Sequence, residues 1–96
     1  MKVQNMTNSK GNKVPNQFII IDDDGNKYFQ SYDAIIAKVP AGRVGDEGVD
    51  SPIELDAHYW NYSRTTSKYR NIFLNETTKD TKYKIDADIY ILTNLN

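Results

Sequence analysis

Apolar residues recur along the chain with two spacings, one of strands and one of helices. The run FIII lies within QFIIIDD and predicts a strand from Gln17 to Asp22. Being unbroken, it reads as a strand covered on both faces. Asp24-Gly25 follows, a strong hairpin signal because both central turn positions favour positive φ. Lys27 to Tyr32 is the return strand, with Tyr28, Gln30 and Tyr32 on one face and Phe29 and Ser31 on the other. Ala34 to Val39 (AIIAKV) reads as a third strand rather than a helical turn, since it ends at Pro40. Lys2 to Thr7 alternates weakly, as a short edge strand does, and NSKGN around Gly11 reads as a turn. Ile53 to Leu55 pairs back as a further strand, and IYIL, Ile89 to Leu92, closes the chain as another.

The helical spacing appears later. Tyr62, Thr66, Tyr69 and Phe73 step by four, three and four, one stripe of a 3.6-residue period. Either Asp56 caps a long helix or Ser63 caps a shorter one. Trp60 to Ser63 are mediocre helix formers and Thr65-Thr66 is β-branched, which favours a turn through Tyr59–Tyr62 and a cap at Ser63. Asn75 is the stop. Thr77 or Thr78 caps a second short helix through about Asp86, with Tyr83 facing inward. The whole is an α+β fold: a small, mostly antiparallel sheet of four or five strands with two short helices packed on one face.

Length bounds this to one domain spanning residues 1–96. A chain of that size buries only about 60–65% of its unfolded surface, so its core is thin. The net charge of −1 argues against a generic nucleic-acid binder, which carries a clear basic excess. With no cysteine, disulfide scaffolds and cysteine-based zinc sites are excluded. MKVQNMTNSK has no apolar run and does not read as a signal peptide. FIII is far too short to span a membrane.

Enzyme chemistry is poorly represented. His58 is the single histidine, and no G-x-S-x-G elbow, P-loop or H-E-x-x-H occurs. Asp22 and Asp24 share a strand face, so a weak cation site competes there with an ordinary polar hairpin tip. The segment from Pro40 to Pro52 carries Gly42, Gly45 and Gly48, a spacing unlike dinucleotide sites, and Asp46 and Glu47 would repel phosphate. It reads as a solvated loop. No catalytic, metal-binding or cofactor residue is assigned.

One stretch stands apart. YWNYSRTTSKYRNIFL, Tyr59 to Leu74, holds five aromatic residues, three cations and no acid. Tyr62, Tyr69 and Phe73 fall on the inward stripe. Arg64 and Lys68, four apart, share an outer face with Arg70 half a turn further round. A helix beginning at Ser63 also directs unpaired N–H groups outward, an end that attracts anions. The candidate ligand- or partner-binding residues are therefore Tyr59, Trp60, Tyr62, Ser63, Arg64, Thr65, Thr66 and Lys68. The competing reading makes the rings core and the cations a solvated face.

The chain resembles a group of small, largely uncharacterised proteins of bacteriophages and prophages. The likeness rests on NMTNSKGNKVPNQFII, YFQSYDAIIAKV, YWNYSRTTSKYRNIFL and the closing ILTNLN. The resemblance implies a phage protein acting in the cytoplasm of the infected bacterium. It brings no catalytic residues with it.

These readings support a non-enzymatic phage counter-defence protein, inhibiting a host defence protein or sequestering a nucleotide immune signal. The alternative is a small nucleic-acid-binding accessory domain whose basic side includes Lys79, Lys82 and Lys84. The partners expected are thus a host protein, a phosphate-containing nucleotide or nucleic acid. A homo-oligomer is a further option if Trp60 is exposed on a thin core.

Overall fold

A computed structural model of the protein describes residues 1–41 and 52–96. The expectations for Gly42, Gly45, Asp46, Glu47 and Gly48 lie outside the described residues. Within them the order is β1 (Lys2–Thr7), β2 (Lys13–Ile21), β3 (Lys27–Ser31), β4 (Ala34–Val39), β5 (Glu54–Asp56), α1 (Arg64–Leu74), α2 (Thr78–Asp86) and β6 (Ile91–Thr93). The strands form one sheet in chain order, antiparallel from β1 to β5. The final pair, β5 and β6, is parallel. A parallel neighbour needs a crossover, and α1 with α2 supplies it. The α+β expectation holds, with six strands among the described residues.

Side-chain alternation decides what faces the helices. On β3, Phe29 and Ser31 are buried while Tyr28 and Gln30 are half-buried, the division read from the sequence. The Phe29 ring stacks on Phe73 of α1 at 5.7 Å between centroids, and the Ser31 hydroxyl lies 2.9 Å from that of Thr66. Adjacent Ile36 and Ala37 on β4 are both buried, which a regular strand forbids. The register explains it: Phe29 opposes Ala37 and Gln30 opposes Ile35, so Ile36 is the extra residue of a bulge, turned inward. Met6, Ile53, Leu55, Tyr69 and Tyr90 complete the core.

Several expectations are corrected. The FIII run is not sealed on both faces; Phe18 to Ile21 are all half-buried, because the core built with the helices lies against one side of the sheet. Strand β2 begins earlier, at Lys13, and β6 later, at Ile91. At the Asp24-Gly25 tip only Gly25 takes positive φ, at 89°. The Asp22 carboxylate instead builds a wider turn, accepting from the backbone N–H groups of Asp24 and Asn26. Its pKa falls below the ordinary carboxylate value, chiefly through the hydrogen bond from the Asn26 side chain. Asp22 thus serves the turn rather than a cation site. Tyr83 is 66% exposed rather than inward, and Thr81 is the buried residue of α2.

Helix boundaries follow their caps. Ser63 is extended, with φ −153°, and its side chain accepts from the Thr66 N–H; Asn75 ends the helix in the left-handed region. Thr77 and Asp80 form a capping box at α2. No described helix is long and apolar enough to cross a membrane.

Candidate functional site

The turn from Asp56 to Tyr62 is built around one carboxylate. Asp56, 2% exposed, accepts from the N–H groups of His58, Tyr59 and Leu95 at 3.1, 2.8 and 2.8 Å. Burial pushes its pKa up, but these donors outweigh burial and hold it below the usual value. Its carbonyl also accepts from the Trp60 N–H, closing a helical turn. Asp56 therefore fixes where Tyr59 stands.

Tyr59 and Tyr62 meet edge to face at 5.5 Å, and His58 lies edge-on to Tyr59 at 4.5 Å. The two tyrosines line a cleft of about 290 Å³. Its other wall comes from the hairpin between β3 and β4: Ser31, Tyr32, Asp33, Ala34 and Ile36, with Asn96. Two residues, Tyr32 and Asp33, connect those strands. Tyr32 adopts φ 56°, a left-handed conformation unusual for a bulky residue. The Asn96 amide is spent on the Ile35 backbone, accepting its N–H at 2.7 Å and donating to its carbonyl at 2.9 Å. Among the described residues, the tyrosine hydroxyls that find partners are those of Tyr28 and Tyr90. Those of Tyr32, Tyr59 and Tyr62, three residues that line the cleft, have none among the described residues.

The eight residues picked from the sequence divide. Tyr62 is 64% exposed, off the helix and off the core stripe to which its spacing assigned it. Tyr59 is half-buried on the cleft wall, and Arg64, Thr65 and Lys68 are exposed. The Lys68 ammonium sits over the Tyr69 ring at 5.3 Å. Ser63 is committed to its cap. Thr66 is fully buried against Ser31, so it touches no partner. Trp60 is half-buried rather than exposed, its ring under the Arg70 guanidinium at 5.1 Å.

Arg70 is the largest departure. Expected on an outer face, it is fully buried. Its Nη1 donates to the Trp60 carbonyl at 2.6 Å and to Asn61 Oδ1 at 3.2 Å; its Nη2 donates to Asn71 Oδ1 and Thr78 Oγ1, both at 2.9 Å. Desolvation pulls its pKa down, opposed by the charge of Glu76. Glu76 in turn receives the Lys84 ammonium at 2.9 Å and the Tyr90 hydroxyl. Lys84 is thus occupied, and the basic side suggested with Lys79 and Lys82 loses a member. No group of three or more His, Cys, Asp or Glu stands ready for a metal among the described residues.

Sequence reasoning missed Tyr32, Asp33 and the whole hairpin wall. Only the two-residue gap between the runs FQS and AIIAKV marks that turn, and it holds no glycine or asparagine.

The geometry defines a small α+β fold: among the described residues, a six-stranded sheet, two helices, and a tyrosine-lined cleft where a strand hairpin meets the turn before α1. Residues 1–89 match a family of unknown function, DUF8033, and the chain belongs to it. No curated protein and no solved structure matches the chain.

Proposed function

We propose that the chain is a non-enzymatic binding protein that grips another protein through Tyr32, Asp33, Tyr59, Tyr62 and the outer side of Arg64, Thr65 and Lys68. The observation that carries this reading is the edge-to-face pair of half-buried Tyr59 and exposed Tyr62 lining the cleft. Tyrosine offers a large contact area at low entropic cost, and buried rings and arginine dominate interface energies. The likeness to phage and prophage proteins suggests the setting: counter-defence in the bacterial cytoplasm, with a host defence protein as target.

Sequestering a nucleotide signal is the weaker variant. Among the described residues the cleft is lined by a carboxylate and by no lysine or arginine, and Arg70 is engaged internally. Two measurements test the choice. A thermal-shift screen with cyclic and linear nucleotides should show no stabilisation; a true sequestering protein at about 100 times Kd gains about 2.7 kcal/mol. Capture of host proteins by the wild type, compared with Tyr62→Asp and Arg64→Glu, should show one partner lost in both variants. A nucleotide-dependent shift, or capture indifferent to both substitutions, overturns the proposal.

A further inference from the structure

Resting on that reading, we infer that the tyrosine cleft receives an arginine side chain of the partner protein. Three phenol rings, Tyr32, Tyr59 and Tyr62, line it, and Asp33 is the one charged side chain among its described lining residues. Asp33 forms no hydrogen bond or ion pair among the described residues. Aromatic faces carry negative potential and attract cations, and a nearby carboxylate adds a full charge of the same sign. A phosphate in this cleft would meet Asp33 as a like charge. A purely apolar group would strip water from the carboxylate without replacing it.

Among cations, a guanidinium fits better than an ammonium. It is planar, weakly hydrated, stacks on rings and forks onto a carboxylate through two N–H groups. The cleft's roughly 290 Å³ lies just below the range of about 300–1,000 Å³ usual for small-molecule sites, a size for one long side chain rather than a nucleotide. The positive end of α1 works against a cation, but its influence falls off within one turn. Asp33 carries a whole charge at the rim.

The backbone at Tyr32 points the same way. Its φ of 56° is held by its own N–H, which donates to the Asn16 carbonyl at 2.7 Å, and Asn16 is itself at φ 65°. Such conformations persist where the surroundings enforce them, and they cluster at ligand clamps. Here the unusual turn brings one ring and one carboxylate, from adjacent residues, to the same rim.

The test is a titration of the whole chain followed by amide NMR shifts. The probes are N-acetyl-argininamide and its neutral near-isostere N-acetyl-citrullinamide. A dozen or so heavy atoms command roughly millimolar affinity, so concentrations up to about 50 mM suffice. The arginine probe should shift the amides of Tyr32, Asp33, Tyr59 and Tyr62, and citrullinamide should bind about tenfold more weakly or worse. Asp33→Asn should remove most of that difference. Tyr62→Ala, at an exposed position outside the helices, should weaken both probes and serves if the hairpin variant folds poorly. Equal binding of the two probes overturns the arginine assignment and leaves the binding face standing. No shift at these amides also overturns it. The face itself fails separately, by partner capture that ignores Tyr62→Asp.

Discussion

The Arg70 guanidinium donates to the Trp60 carbonyl at 2.6 Å while lying 5.1 Å from the centre of the same residue's ring. One side chain thus fixes both the backbone and the indole of the turn before α1. Through Thr78 it also ties that turn to the start of α2. The cation-rich stretch therefore spends its third cation on architecture and leaves the other two outside.

Arg70→Ala takes one donor each from the Trp60 carbonyl, Asn61, Asn71 and Thr78 and empties a fully buried side-chain site. Losing a buried hydrogen-bond network together with the packing of its central side chain costs about 2–5 kcal/mol. Urea unfolding of the variant should show that loss. Arg70→Lys should recover little, because an ammonium cannot span four acceptors in a plane. If Arg70→Ala unfolds within about 1 kcal/mol of the wild type, the network is not structural.

Ser31 and Thr66 join the sheet to α1 through buried hydroxyls 2.9 Å apart, and Ser63 donates to the same Thr66 oxygen at 3.1 Å. Thr66→Val removes that oxygen and strands Ser31, at a cost of about 1–3 kcal/mol. Replacing both, Ser31→Ala with Thr66→Val, leaves fewer unpaired groups. A double-mutant cycle by chemical denaturation should therefore give a double variant more stable than the two single losses added together.

Most of the frame was legible because it rests on local rules. Alternation identified the inward Phe29 and Ser31, Ser63 and Asn75 bounded α1, and Thr77 opened α2. What failed depended on tertiary contact. Tyr62 fits a helical period, but the helix starts two residues later, so period gave it a face it does not have. Tyr83 was taken inward although α2 buries Thr81, whose hydroxyl donates to Glu76. Arg70 looked like surface because arginine is rarely buried, and nothing local announces four acceptors gathered from two helices and a turn. The cleft was half legible: Tyr59 and Tyr62 came from composition, whereas Tyr32 and Asp33 came together with them only through the sheet.

Acid should reveal Asp56. Its folded pKa is depressed, so its stabilising contribution is present above the unfolded carboxylate value of about 3.9. That contribution is lost as pH falls through the folded value. Unfolding free energy measured from pH 6 downward should decline below about pH 4. Asp56→Asn should be destabilised at neutral pH, since an amide cannot accept from three backbone donors as a carboxylate does, and its decline with acid should be shallower. Asp22 and Asp80 are depressed too, so the slope lessens without vanishing. Parallel curves for wild type and variant would remove Asp56 from this role.

Tyr32 offers the sharpest separation of stability from binding. A bulky residue at φ 56° costs about 1–3 kcal/mol unless the conformation suits it, and asparagine tolerates that region better. Tyr32→Asn keeps the N–H that donates to Asn16 and removes one ring from the cleft. Its stability should equal or exceed that of the wild type by up to about 1 kcal/mol, read from the denaturation midpoint. Partner capture should weaken at the same time. A ring kept at an energetic cost and needed for binding is what a contact residue predicts; a ring kept for packing predicts the reverse, a less stable variant that binds unchanged.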